Sequence, residues 1–364
     1  MTDVIPTPVV ANQAELGALG EHLAQSPAFA IDTEFLRERT YRAELCLVQV
    51  ATREQVTAID PLASLELAPL ARALESGAEK VMHAGRQDLE VLLPLAASIA
   101  PIFDTQVAAA LAGFPAQVGY AELVRRVLGV ELAKAHTRTD WSRRPLSAEQ
   151  IAYAHDDVRY LLPLRDALAL DLERRGRSAW LAQELAALAD PSGITVNPEH
   201  AWLRLKGLAD LDEPRRVLAQ RLAAWRERRA IERNRPRGWI LSDVSVREIV
   251  LRVPRSTQEL AGMADIAPAF VTHSGPQILA LISDSGIADP APPPPRRARA
   301  APGFAELVKK LGNIVQIRAA ELELNSEVLA TRRDLELIAT GRTDVAPLEG
   351  WRRAVIGEQL LATL

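Results

Sequence analysis

Ile31-Asp32-Thr33-Glu34-Phe35 closes an apolar run that starts at Phe29 and ends on two acids spaced two apart. Successive side chains of a strand point to opposite faces, so in an extended chain Asp32 and Glu34 lie on the same side. Carboxylates held that close repel unless water or a cation screens them. The pair by itself reads equally as a solvated strand end or as part of a site for a hard divalent cation. Mg²⁺ prefers a few carboxylates together with water and phosphate oxygens.

Strand-like and helical patterns alternate around this stretch. Phe29-Ala30-Ile31, Leu45 to Ala51, Gln55 to Ile59, Lys80-Val81-Met82-His83 and Pro101-Ile102-Phe103-Asp104 read as strands. Helical patterns cover 66–76, 86–95, 105–112, 119–129 and 147–171. Strands hairpinned first and then alternating with helices predict an α/β domain, a mixed sheet flanked by helices, over 1–190. The character changes at Asp190-Pro191-Ser192-Gly193, after which the patterns are helical. Leu211-Asp212-Glu213-Pro214 and Ser242-Asp243 are helix starts within an all-α domain over 199–288. Residues 289–303 form a Pro/Ala/Arg linker with no means of building a core. The helical module 304–364 is open to reading as a diverged second copy of the 199–288 kind.

A chain of 364 residues suits two or three domains, and at 48% hydrophobic it has ample core material. The net charge of −4 conceals a basic stretch: 201–260 holds fourteen Arg or Lys against eight Asp or Glu, where a polyanion could dock. The single cysteine, Cys46, excludes an internal disulfide and suits a reducing cytoplasm. The N-terminus lacks the pattern of a signal peptide, and no apolar run approaches the ~20 residues that span a membrane. None of the five lysines follows a glycine, so a phosphate loop and with it a helicase motor are excluded; no nucleotide cofactor is expected.

Two further stretches carry chemistry. In His83-Ala84-Gly85-Arg86-Gln87-Asp88-Leu89 a strand ends, a glycine turns the chain and Asp88 opens a helix. A lone Asp there is commonly a helix-start residue. In Tyr153-Ala154-His155-Asp156-Asp157, Tyr153 and Asp157 are four apart and share a helix face. That pair is either a packing contact or a metal ligand with a phenol beside it.

In order and type, Asp32 and Glu34, then Asp88, then Tyr153 and Asp157 resemble the three exonuclease motifs of the DEDD superfamily, in its tyrosine-bearing subgroup. The run from Asp32 to Tyr41, Leu47-Val48-Gln49-Val50, Phe103-Asp104-Thr105-Gln106 and the run from Thr139 to Leu146 look like the ribonuclease D family. The resemblance spans about 28–170. It implies an RNase H-like fold and a 3′→5′ exoribonuclease that releases nucleoside monophosphates, with tRNA precursors trimmed at their 3′ ends as the RNA substrate. It implies that Asp32, Glu34, Asp88 and Asp157 hold two divalent ions, Mg²⁺ or Mn²⁺, and that Tyr153 positions the attacking water. The same chemistry on DNA is one alternative; a catalytically silent RNA-binding scaffold is another, against which the five intact motif positions argue.

Several neighbours take subsidiary roles in this reading. Thr33 and Phe35 flank the ligands and are expected against the terminal nucleotide, Phe35 by stacking or else as a core residue. Arg138, Arg143 and Arg144 precede the third motif, facing either solvent or substrate phosphates. Asp104 supports the site without being a ligand. His83 and His155 lack zinc-site spacing. Residues 211–283 resemble an HRDC domain through Leu218 to Arg235, Pro236 and Ile240-Leu241-Ser242-Asp243, which implies a nucleic-acid-binding helper. Its arginines, Arg229 and Arg233 among them, are candidates for salt-dependent phosphate contact.

Overall fold

The computed structural model describes residues 5–6, 9–132, 139–207, 211–284 and 302–364. They form two units, one of Met1–Leu36, Leu45–Ile194 and Ala300–Leu364, the other of Arg37–Glu44 and Thr195–Arg299. Linker residues 289–301 lie outside the described residues.

The first unit is built on a mixed sheet of β1 (Ile5–Pro6), β2 (Ala28–Leu36), β3 (Glu44–Ala51), β4 (Gln55–Ile59), β5 (Glu79–Met82) and β6 (Ile102–Asp104). The spatial order is β1-β4-β3-β2-β5-β6. β3 and β4 form the expected antiparallel hairpin, while β2–β5, β5–β6 and β1–β4 are parallel. Helices α1 (Gln13–Gln25), α2 (Ala68–Glu75), α3 (Arg86–Leu92), α4 (Thr105–Leu111), α5 (Tyr120–Leu128), α6 (Ala148–Arg159), α7 (Leu161–Arg174) and α8 (Ser178–Ala189) complete the α/β part. Alternation along β2 feeds two cores. Phe29 and Ile31 join Leu16, Leu23, Leu70 and Leu74 from α1 and α2, whereas Ala30 joins residues of α4 and α7. Asp32 and Glu34 continue the Ala30 row past the end of that packing.

Two elements depart from the sequence expectation. Helix α1 was not anticipated, although its signal is present: the Asn12 side chain accepts from the Glu15 amide at 3.0 Å and caps the first turn. The helical pattern over 147–171 is two helices, broken at Tyr160 (φ −102°, ψ 0°). Pro163 explains the break, because it has no N–H to donate to the Arg159 carbonyl that a continuous helix would offer.

The sequence sets 304–364 apart as a module behind a linker, yet its helices belong to the first unit. Leu311, Val315, Leu335 and Trp351 share one core with Leu111, Leu168, Leu172 and Leu181. The Trp351 indole stacks on Trp180 with centroids 4.4 Å apart and donates to Glu184 at 2.7 Å. Buried Arg177 donates to the carbonyls of Leu111 and Leu322, one on each side of this seam. Gly113 (φ +102°) passes so close to Glu323 that a Cβ there would meet its carbonyl oxygen at 2.5 Å.

The second unit is helical around Glu213–Arg233, Asp243–Arg252 and Pro268–Ser283, and no strand occurs among its described residues from 195 onward. Asp212 and Ser242 cap the first two helices by accepting from the Arg215 and Ser245 amides. Its core gathers Trp202, Leu218, Leu222, Val246, Ile249, Leu260 and Ile278. The Arg37–Glu44 segment, between β2 and β3 in the chain, is part of this unit. The Tyr41 hydroxyl donates to fully buried Glu227, and the Arg237 guanidinium lies 5.6 Å from the Tyr41 ring centroid while its Nε reaches Glu227 at 2.9 Å. Burial and the neighbouring carboxylate push the Tyr41 phenol up to about 12. No helix among the described residues is long and apolar enough to cross a membrane.

Trp351→Ala removes an indole that is 5% exposed. It is expected to cost about 3–5 kcal/mol of the first unit's stability, read as a lower denaturant midpoint followed by α/β-sheet signal. An unchanged midpoint would show that 302–364 is not part of that core.

Candidate active site

One pocket of about 290 Å³ is lined by Asp32, Thr33, Glu34, Phe35, Asp88, Tyr153 and Asp157, with His83, Gln87 and Tyr120 among the other lining residues. The three exonuclease-like stretches thus meet in space. Each is brought there by its own local device.

Asp88 rides on α3, which starts from a tight turn. Ala84 has φ +54°, and a Cβ on Gly85 would fall 2.0 Å from the sulfur of buried Met82, so any side chain there would force Met82 to move. Asp104 pins this turn, accepting from the Ala84 and Gly85 amides at 3.2 and 2.8 Å. It also caps α4 through the Gln106 and Val107 amides at 2.8 and 3.2 Å. Its role is therefore to shape the turn beside the pocket. Thr33, expected against the nucleotide, spends its polar groups on Asp88: its amide and hydroxyl both donate to Oδ1, at 3.1 and 2.5 Å. Helix α6 is set by a capping box between Ser147 and Gln150. One turn on, the Tyr153 hydroxyl donates to the Asp157 carboxylate.

The electrostatics follow from bringing four acids together out of water. Burial raises all four, and each also feels at least one neighbouring carboxylate. Glu34 is pushed to about 8, Asp157 to about 7 and Asp88 to about 6; Asp32 lies well above its ordinary value. Tyr153 is also raised, by burial first and then by Asp157 and Glu34. A cluster of hard oxygen donors that resists ionising is what a divalent cation relieves, so the donor set suits Mg²⁺ or Mn²⁺. Among the described residues no three acidic or histidine side chains already converge to chelating distance, so binding would draw the carboxylates inward.

Two lining residues went unassigned in the sequence. Tyr120, at the start of α5, donates its hydroxyl to the Asp156 carbonyl at 2.9 Å and tethers α6. Helical periodicity alone gave it no role. His83 donates Nε2–H to the Val118 carbonyl at 3.0 Å, and its Nδ1 lies 2.9 Å from the Thr105 hydroxyl, which is also within hydrogen-bond reach of the Met82 carbonyl at 3.1 Å. Burial lowers its pKa, so the ring is a neutral wall residue. His155 is buried beneath α6, is absent from the pocket lining, and its Nε2 has no partner among the described residues.

The arginines fare differently. Arg138 lies outside the described residues. Arg144 is not on the pocket lining, and its guanidinium is consumed internally: Nε and Nη2 grip Asp60 at 2.6 Å each, Nη2 also reaches the Cys46 carbonyl, and Nη1 serves the carbonyls of Trp141 and Arg143. All five donors are used, which gives Arg144 a structural task in place of the expected phosphate contact. Arg143 is exposed and paired with Asp140. Arg229 and Arg233 belong to the helical unit.

The chain resembles known proteins both region by region and over nearly its full length. The family model described as 3'-5' exonuclease matches residues 8–173, and the HRDC domain model matches residues 215–282. The ribonuclease D of Acidiphilium cryptum is 41% identical over 98% of this chain and 93% of its own length. That of Granulibacter bethesdensis is 41% identical over 98% and 92%. The crystal structure of Escherichia coli RNase D, an exoribonuclease involved in structured RNA processing, superposes with a TM-score of 0.86 at 29% identity, covering 100% of this chain and 99% of that one.

The raised carboxylates make a stability prediction with a definite sign. Between about pH 4, where unfolded carboxylates release their protons, and about 8, where Glu34 does so in the folded protein, the folded state binds more protons than the unfolded. Stability of metal-free protein therefore falls as pH rises through that window. Asp32→Asn removes one of the repelling charges and should raise the thermal midpoint at pH 8 in chelator by roughly 3–6 °C. A midpoint of metal-free protein that climbs with pH would contradict the repulsion argument.

Proposed function

Since the chain belongs to the ribonuclease D family and is a 3′→5′ exoribonuclease, we propose that its catalytic centre is the pocket of Asp32, Glu34, Asp88, Asp157 and Tyr153. The observation that carries this is the meeting of four carboxylates from β2, α3 and α6 in one pocket, all pushed towards protonation by their proximity and burial.

In this reading Asp32, Glu34, Asp88 and Asp157 hold two divalent ions, Mg²⁺ or Mn²⁺. Bound there, such ions supply a water of lowered pKa and offset the charge that develops on the phosphate and the leaving 3′ oxygen. The chain's own groups do the positioning. Thr33 fixes the Asp88 carboxylate, so one oxygen keeps its direction while the other stays available. Tyr153 keeps its proton at neutral pH, because burial and the nearby acids raise it further above an ordinary phenol. Its hydroxyl is thus an orienting group for the attacking water and Asp157, rather than a base. Phe35 offers its ring to the terminal base from the pocket wall. The buried His83 ring closes another side without adding charge.

RNA is the substrate class, and we assign structured precursors trimmed at their 3′ ends, those of tRNA in particular, as its natural form. The HRDC region, with its excess of arginine, acts as the helper that retains such RNA between rounds of cleavage.

A 5′-labelled RNA and a DNA of matched sequence test the centre. With Mg²⁺ or Mn²⁺ the RNA should shorten as a ladder from its 3′ end, and chelator, Asp32→Ala or Asp157→Ala should stop it while RNA binding persists. Full activity in either variant would remove these carboxylates from the centre, and equal degradation of the DNA would set aside the preference for RNA. Tyr153→Phe should lower kcat by about 10²-fold or more with little change in KM; an unchanged kcat would take Tyr153 out of the mechanism.

A further inference from the structure

We propose that a groove beside Trp239 in the helical unit is a stacking station for one unpaired base of the RNA, with Arg229 and Arg233 receiving the phosphates that flank it. This deepens the reading of RNA as substrate and rests on it.

The groove has a volume of about 510 Å³, and Arg229, Arg233, Trp239, Phe270 and His273 are on its wall. Trp239 is 60% exposed, while Trp202 of the same unit is 2% exposed and anchors the core. Nothing in the fold needs the Trp239 indole outside. It is nevertheless held in place. The helix Glu213–Arg233 ends at Asn234 with φ +46°, and the single turn Arg237–Ile240 is closed by bonds from Trp239 to the Pro236 carbonyl and from Leu241 to the Arg237 carbonyl, at 2.9 and 3.0 Å. The Arg235 guanidinium lies 5.8 Å from the indole centroid, on its face. A rigid aromatic plate already attracting a planar cation is a surface on which any base can stack, because every base has a π-face.

The polar groups around the plate fit an anionic strand. Arg233 makes no hydrogen bond or ion pair among the described residues. Arg229 gives Nη1 to Glu232 at 2.7 Å, and its Nε is buried without a partner. His273 donates Nδ1–H to the Ala269 carbonyl at 2.7 Å, which leaves Nε2 as an acceptor. Asp265 is the single acidic residue on the wall. An apolar protein segment seated here would bury the unpaired Arg233 guanidinium with nothing added to neutralise it. A nucleotide covers the indole with its base and meets the arginines with its phosphates, so charge complementarity selects RNA as the occupant. Stacking is tolerant of sequence, which suits an enzyme that must hold whatever bases precede the end it trims.

The test uses the full chain in chelator, so that nothing is cleaved. Fluorescence anisotropy reads the binding of a 12-nucleotide single-stranded oligoadenylate and of a blunt RNA hairpin with no unpaired 3′ end and a capped tetraloop. Trp239→Ala should weaken the single strand about tenfold and leave the hairpin within about twofold. Trp239→Phe should recover most of the loss. Arg233→Gln should flatten the dependence of log Kd on log salt by about 0.7, one single-strand phosphate contact, whereas Trp239→Ala leaves that slope unchanged. Equal affinity of Trp239→Ala and the unsubstituted protein for the oligoadenylate overturns the stacking station, as does an equal loss on both RNAs. Failure of the unsubstituted protein to bind either RNA would instead remove the substrate reading on which the proposal stands.

Discussion

Repulsion among four carboxylates is the constraint that the rest of the first unit is arranged to withstand. Left to themselves, Asp32, Glu34, Asp88 and Asp157 would separate into water. They are kept together because each is fixed by its backbone. Asp32 and Glu34 extend a strand whose inner residues are locked into two cores, Asp88 follows a tight turn packed against Met82, and Asp157 sits one turn beyond Tyr153 on a capped helix. Other groups nearby serve the same end. Thr33 satisfies one oxygen of Asp88, Asp104 is drawn off to hold the 84–85 turn, and Tyr120 ties α6 through a main-chain carbonyl. The strain is stored in the shifted ionisation of the acids, which is why the metal-free site and the folded state are in tension.

How much of this could be read in the amino-acid sequence depends on how far each signal reaches. Period two placed Asp32 beside Glu34, and a spacing of four placed Tyr153 beside Asp157, because both rules act within a single element. The alternation of strands and helices gave the fold class for the same reason. Joining the two pairs with Asp88 required the resemblance to ribonuclease D, since no local rule reports which elements meet. The misses are also local rules that lost to tertiary context. Arg144 sits in a charged loop and looks available to a phosphate, yet Asp60, 84 residues earlier in the chain, claims it. Thr33 looks like a substrate contact until Asp88 arrives beside it. The break at Tyr160 was legible in Pro163, but the apolar pattern runs on through it and masked the stop.

The helical unit follows a different logic from the nuclease. Its buried charges are paired one to one, as with Glu227 between Tyr41 and Arg237, and Arg226 with Asp243. Pairing of that kind contributes little net stability against an apolar core but fixes one geometry, since a misplaced partner leaves a charge stranded. Among its tryptophans, Trp239 stands out as exposed, whereas Trp202 is buried in the core.

The position of residues 302–364 in the first unit has a consequence for how the protein comes into being. Their Leu311, Val315 and Trp351 close a core whose opposite wall, from α4, α7 and α8, is made roughly 120–250 residues earlier. Nearly the whole helical unit is synthesised in between. At ~5–20 residues per second, the nascent nuclease spends roughly 9–34 s with the Trp180 face bare before Trp351, 171 residues later, is made. The helical unit has its own core and is free to fold during that interval, so the part expected to hold RNA is completed before the part that cuts it. The order of the chain thereby delays assembly of a nuclease whose nearest RNA, during those seconds, is the ribosome that is making it.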